Sequence, residues 1–178
     1  MKTREMTVIA HLVAILIATQ FVLSAVVGIN LVFPLLVIYT YTLGFRKTIL
    51  IMTTFVLVRF LMGLPLLTVI LWSWTFAVLI VLAFAAKVIA RENEYIAATI
   101  TLVYFLLFGF LCAIQETILT GVPILAYWLR GVPSDVLGAI AGFVSVLILF
   151  HPIRKTIKYA VYGVLEDRVR LTKKQAQE

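Results

Sequence analysis

The chain has 178 residues, of which 63% are hydrophobic and 13% are charged, and its formal net charge is +7. This composition excludes an ordinary water-soluble domain, in which about 45–50% of residues are apolar and about 25% are charged. The sequence therefore predicts an integral membrane protein of the all-α class.

A membrane-spanning helix needs about 20 apolar residues, because it crosses about 30 Å of hydrocarbon at about 1.5 Å per residue. The first apolar segment follows a charged start but lacks the cleavage site of a signal peptide, so we expect it to be retained. The second segment begins near Asn30 and Pro34 and is too short to span without help from its neighbours. The last predicted helix is interrupted near its end by His151 and Pro152, and a charged cytoplasmic tail covers 159–178. The six predicted transmembrane helices cover residues 6–27, 31–43, 48–64, 66–86, 95–119 and 136–157 of a single membrane domain.

The basic residues predict the topology, because Lys and Arg collect in short cytoplasmic loops. A cytoplasmic location for the N-terminus, the turns GFRKT and KVIARENE, and the C-terminal segment accounts for 13 of the 15 basic residues. Both termini are thus predicted to be cytoplasmic in a multi-pass protein of the bacterial cytoplasmic membrane. The positive charge is interpreted as topology with a secondary attraction to anionic lipid headgroups, not as nucleic-acid binding. These 13 residues are Lys2, Arg4, Arg46, Lys47, Lys87, Arg91, Arg154, Lys155, Lys158, Arg168, Arg170, Lys173 and Lys174.

Ionisable residues inside the predicted spans are costly and are therefore functional candidates. Arg59, Glu116 and Asp135 are all expected near the outer ends of their helices. One interpretation is a polar pocket that opens to the outside between the third, fifth and sixth helices. The alternative is a structural ion pair between Arg59 and Glu116, with Asp135 capping the last helix behind Pro133 and Ser134.

Aromatic residues are predicted at the same outer end. Trp72 and Trp74 are about 200° apart around a helix, so we expect at least one of them to point inward. Tyr127 and Trp128 lie in TGVPILAYWLRGVPSD, which is predicted to be a long loop of the kind that serves as a lid. An interfacial aromatic belt is the alternative. The predicted substrate-binding residues are Asn30, Arg59, Trp72, Trp74, Glu116, Tyr127 and Trp128.

The sequence lacks the motifs of a metalloprotein or an ATPase. It has two histidines, one cysteine, no metal-binding motif and no Walker motif, so no metal, no cofactor and no ATPase activity of its own are predicted. Cys112 is interpreted as a small buried hydrophobe. An intramembrane enzyme with Glu116 or Asp135 as a base is an alternative, but no second catalytic group is recognisable and the chain is predicted not to be an enzyme.

Small residues form a file along the first helix, where AHLVAILIA places Ala10, Ala14 and Ala18 on one face. Close backbone approach at small residues supplies much of the packing between helices in lipid. The file is therefore predicted to be a docking face. The residues alone leave open whether its partner is a helix of this chain or another protein, and slightly favour the former. Gly138 and Gly142 form a second small-residue pair, interpreted as packing inside the bundle.

Several of these features together resemble the S components of energy-coupling factor vitamin transporters. They are the length, six predicted helices, the alanine file, the segment AYWLRGVPSD and a last helix closing in FHPIRKTI. The resemblance covers about 6–158 and implies capture of a small vitamin, of the hydroxymethylpyrimidine or pyridoxine type, from outside. It further implies that Ala10, Ala14 and Ala18 meet a transmembrane coupling subunit, which works with a pair of ATPases. The alternatives are a different vitamin such as cobalamin, or a self-sufficient channel or facilitator.

Overall fold

A computed structural model describes the backbone of residues 3–23, 29–91 and 93–175 and the side chains of 5–23, 29–91 and 93–161. Within these ranges the chain forms six α-helices, as the sequence predicts. They are α1 (Thr3–Leu23), α2 (Val32–Leu43), α3 (Phe45–Leu61), α4 (Leu66–Ala90), α5 (Glu94–Thr120) and α6 (Ile124–Gln175). The end of the predicted first helix, 24–27, lies outside the described residues.

Four of these helices contain segments long and apolar enough to cross a membrane: Glu5–Leu23, Leu66–Ala90, Glu94–Thr120 and Ile124–Val161. Large apolar side chains remain exposed on them, including Ile89 at 84%, Ile118 at 78% and Val22 at 74%. Water disfavours such a surface, whereas lipid tails accept it. The fold is thus an all-helical bundle with the surface of a membrane protein.

The short helix α2 lies at the centre of the bundle. All ten residues from Val32 to Tyr41 are buried, and α2 packs against each of the other five helices. With 12 residues it is about 18 Å long, shorter than the hydrocarbon core of a bilayer. Phe33 meets the rings of Phe76, Tyr104 and Phe105 edge-on, at centroid distances of 5.7, 5.2 and 4.8 Å. Neighbouring helices therefore enclose α2 on all sides.

Polar contacts identify one end of the bundle, which we call the basic end. Lys47 Nζ on α3 lies 3.0 Å from Glu5 Oε1 on α1, and Lys87 Nζ on α4 donates to the Thr40 carbonyl on α2 at 3.5 Å. On the same side, His151 Nε2 of α6 lies 2.6 Å from a carboxylate oxygen at the start of α5. The basic end carries Arg46, Lys47, Lys87, Arg91, Arg154, Lys155 and Lys158, whereas Arg59 and Arg130 lie on the opposite half of their helices.

The last helix is much longer than predicted. It begins at Ile124 rather than at 136, and it continues through both Pro133 and Pro152. The predicted lid loop is therefore wrong, since only 121–123 connect α5 to α6. Glycine and proline usually indicate turns, but both are more frequent in membrane helices than in soluble ones and do not end α6.

The tight connection makes α5 and α6 an antiparallel hairpin. Gly121 ends α5 in the left-handed conformation, with φ of 74°, and its N–H donates to the Thr117 carbonyl at 2.9 Å. The helices then approach closely at Gly142, where a Cβ would lie 2.5 Å from the Phe105 ring. The packing interpretation of the Gly138–Gly142 pair is confirmed at Gly142.

Candidate functional site

The α5–α6 hairpin carries several polar side chains in the half of the bundle opposite the basic end. Glu116 of α5 and Asp135 of α6 both lie within electrostatic range of the Cys112 thiol. The Tyr127 phenol lies within range of the same three groups and of Arg130. We call Cys112, Glu116, Tyr127 and Asp135 the α5–α6 cluster. Of its members, Glu116 and Tyr127 belong to the predicted substrate-binding residues, whereas the sequence analysis left open for Asp135 either a place in an outer polar pocket or a helix-capping role.

Asp135 does not cap a helix. It lies about three turns after Ile124, inside α6, so the capping interpretation is wrong. Its carboxylate lies against Gly109 of α5, where a Cβ would collide with Oδ2. Among the described residues Oδ2 is buried and has no hydrogen-bond partner. A buried acceptor without a partner costs about 1–3 kcal/mol, so this carboxylate favours a ligand that carries a hydrogen-bond donor.

Aromatic residues near the cluster differ in their surroundings. Trp128 of α6 is half-buried and meets the Phe110 ring of α5 edge-on, with centroids 6.0 Å apart. Tyr127 is exposed. On α4, Trp72 packs edge-on against Phe76 at 6.2 Å, while Trp74 is 38% exposed. The expectation that the two α4 tryptophans face different surroundings is confirmed.

Gln115 is a buried polar residue that the sequence analysis did not identify. Its Nε2 donates to the Leu71 carbonyl at 3.2 Å and so joins α5 to the first half of α4, next to Trp72. An amide side chain within the apolar run FLCAIQETIL, adjacent to Glu116, is the signal that identifies it. This bond holds α4 beside the helical turn that presents Glu116.

Arg59 lies apart from the cluster. It is in the last turn of α3, and its guanidinium carbon is 4.9 Å from the centroid of the Phe21 ring on α1. In the described part of the chain α3 makes no direct contact with α5, and the ion pairs present are Lys47 with Glu5 and His151 with Glu94. The proposed ion pair between Arg59 and Glu116 is therefore wrong. Arg59 joins α3 to α1 instead.

Asn30 has a local structural contact. Its Oδ1 accepts a hydrogen bond from the Val32 N–H at 2.9 Å, at the start of α2. The side-chain carbonyl of Asn30 is thus engaged in starting the helix, and its role in substrate binding stays a prediction.

The alanine file lies on the outer surface of α1. Ala10, Ala14 and Ala18 are exposed, while the opposite face of α1 buries Ile9, Leu12, Val13 and Leu16. The interpretation that the file packs against another helix of this chain is therefore wrong, because no helix of the described bundle covers it.

The cluster is rich in hydrogen-bond acceptors. Among the described residues, no group of three or more His, Cys, Asp or Glu is arranged to hold a metal ion. Two carboxylates and a phenol on the hairpin that also carries Trp128 are chemically suited to a small molecule with N–H or O–H donors and a flat apolar face.

The fold and the candidate site together indicate the class of helical membrane proteins. The α5–α6 cluster, rich in hydrogen-bond acceptors, lies at one end of the bundle, and the basic residues lie at the other. No protein-family model matches the chain, and comparisons with curated proteins and with solved structures found no match.

Proposed function

We propose that this chain is the substrate-binding membrane subunit of an ATP-driven vitamin uptake system of the energy-coupling factor type. The resemblance to S components motivates this function. The observation that carries it is the exposure of Ala10, Ala14 and Ala18 along one side of α1.

The alanine file differs from the rest of the lipid-facing surface. Many other exposed positions carry bulky aliphatic side chains, such as Leu61 on α3, Ile89 on α4 and Leu137 on α6, and the exposed Ala85 on α4 is not part of such a file. Contact with lipid does not by itself favour a row of alanine methyl groups, since lipid tails also accommodate bulky aliphatic side chains. Small residues do allow another helix to approach closely, and packing is a main source of helix association in membranes. A coupling subunit docked on α1 explains the file.

The α5–α6 cluster is the proposed substrate site. The carboxylates of Glu116 and Asp135 accept hydrogen bonds from ring amino or hydroxyl groups, each contributing about 1.5–3 kcal/mol, and Trp128 offers an aromatic surface. A hydroxymethylpyrimidine or pyridoxine-like molecule carries such donors on a small flat ring. Compared with the set predicted from the sequence, Asp135 takes the place of Arg59.

A substitution in the middle of the alanine file tests the docking role. We expect Ala14→Trp to leave vitamin binding by the purified chain unchanged, because the alanine is exposed in the bundle. In cells that also produce the coupling subunit and the ATPase pair, the variant should lose co-purification with them and lose uptake.

The matched control is Ala85→Trp. Ala85 is also exposed, and it lies on α4, which makes no contact with α1 in the described part of the chain. Co-purification and uptake should survive this change. Full uptake by Ala14→Trp, or uptake by vesicles that contain this chain alone, would overturn the proposal, and the second result would indicate a self-sufficient facilitator.

A further inference from the structure

A cavity of about 280 Å³ opens at the basic end of the bundle. It is lined by His151, Arg154, Lys155 and Lys158 of α6. These positions follow the spacing i, i+3, i+4 and i+7, so they share one face of the helix. Three cations and an imidazole therefore line one shallow, open cavity along α6.

The cavity combines one fixed cation with flexible ones. Arg154 is only 7% exposed, and its guanidinium carbon lies 5.5 Å from the centroid of the Phe150 ring. Lys155 and Lys158 are exposed. Lys87 of α4 lies within electrostatic range of Arg154 and Lys158 and adds a further positive charge.

A carboxylate also lies next to the cavity. Glu94 at the start of α5 has its Oε2 2.6 Å from His151 Nε2. The lining thus contains an imidazole beside a carboxylate together with the cationic side chains of Arg154, Lys155 and Lys158.

The cavity lies at the depth of lipid headgroups. His151 is about 40 Å along α6 from Ile124, and a bilayer with its headgroups is about 40–45 Å thick. The end of α4 and the start of α5 lie at the same level, as the contact between Glu94 and His151 shows. With Ile124 at one membrane surface and α6 crossing the bilayer, the cavity would face the headgroup phosphates of the opposite leaflet.

We propose that this cavity binds the phosphate of an anionic glycerophospholipid. A planar guanidinium donates two parallel hydrogen bonds to phosphate oxygens, and lysine ammonium groups add point charges. Membrane topology alone requires only that cations lie on one side, and exposed lysines satisfy that rule. It does not require a nearly buried arginine beside two exposed lysines on one face of the helix. The inference is independent of the proposed transport function.

The test measures lipid retention by the full chain purified in detergent, using native mass spectrometry with added phosphatidylglycerol or phosphatidylcholine. We expect the unmodified chain to retain phosphatidylglycerol preferentially. Arg154→Gln should weaken that retention about tenfold, the effect of losing one charge-assisted contact. Because Arg154 is nearly buried, the double variant Lys155→Gln/Lys158→Gln, at exposed positions, provides a second measurement that does not depend on the core.

Arg46→Gln is the matched control, since Arg46 is exposed at the basic end but does not line the cavity. It should retain phosphatidylglycerol like the unmodified chain. Equal losses in the control and the cavity variants would overturn the proposal in favour of general charge attraction. Unchanged retention in both cavity variants would overturn it outright. Displacement of the lipid by an equal concentration of inorganic phosphate would show that free phosphate is the ligand and would overturn the lipid assignment.

Discussion

The carboxylate of Asp135 on α6 occupies the space beside Gly109 on α5 that a Cβ would need. The absence of a side chain at Gly109 thus allows the Oδ2 atom of a partly buried carboxylate to lie at the interface of the α5–α6 hairpin.

Gly109→Ala should lower the stability of the purified chain. The added methyl group forces the Asp135 carboxylate or α6 to move, and overpacking of this kind costs about 1–3 kcal/mol. Thermal unfolding in detergent measures the loss. The double variant Gly109→Ala/Asp135→Ala should recover part of it, because the two positions are in contact and their effects are not additive. Additive effects would contradict the contact.

Under the proposed function, Asp135→Asn and Glu116→Gln should each weaken vitamin binding about tenfold, since each would replace a charge-assisted hydrogen bond to the ligand with a neutral one. Fluorescence titration with a panel of small heterocycles measures the affinity, and Trp128 on the same hairpin reports occupancy. Arg59→Gln is the control and should bind normally, because Arg59 contacts Phe21 instead of the cluster. A larger loss of affinity for Arg59→Gln than for the two carboxylate variants would indicate that the binding site lies near Arg59 on α3 instead.

Arg59 and Glu116 should behave as independent residues. Arg59→Met removes the interaction with the Phe21 ring and should cost about 0.5–2 kcal/mol of stability, whereas Glu116→Gln leaves that contact intact. In a double-mutant cycle the two changes should add, because the residues lie on helices that do not touch. A coupling energy of about 1 kcal/mol or more would indicate an ion pair.

Tyr104→Phe should destabilise the contact between α4 and α5. The phenol of Tyr104 donates to the Thr75 carbonyl at 2.6 Å in the core, and hydrogen bonds between membrane helices contribute about 0.6 kcal/mol on average and at most about 1.7. Tyr159→Phe is the matched control, since Tyr159 is 71% exposed. Equal thermal stability of the two variants would show that the hydrogen bond contributes nothing.

Hydropathy predicted the six helices because the apolar runs, including the short one that forms α2, are separated by charged or glycine-containing turns. It failed at the start of α6, because Gly131, Pro133 and Ser134 resemble a loop by the rules of soluble proteins. The capping role assigned to Asp135 depended on that start, so both expectations failed together. Membrane helices tolerate such residues, and the sequence pattern alone does not distinguish the two cases.

Depth along a helix was predictable, whereas the neighbours of a side chain were not. The rise per residue placed Arg59 and Glu116 in the outer halves of their helices, and the structure has both opposite the basic end. Whether two residues at one depth meet depends on which helices pack together and on their rotation about their axes. The exposure of the alanine file depends on the same rotation, which is why the residues alone left its partner open.

The enclosure of α2 constrains how the protein is inserted into the membrane. A ribosome delivers α2 to the membrane before α4, α5 and α6 exist, yet those later helices form much of its cover. Until they arrive, α2 is too short to span the bilayer by itself and its ends require shelter from lipid. We therefore expect α2 to stay at the insertion machinery or at the membrane surface until the α5–α6 hairpin has been inserted.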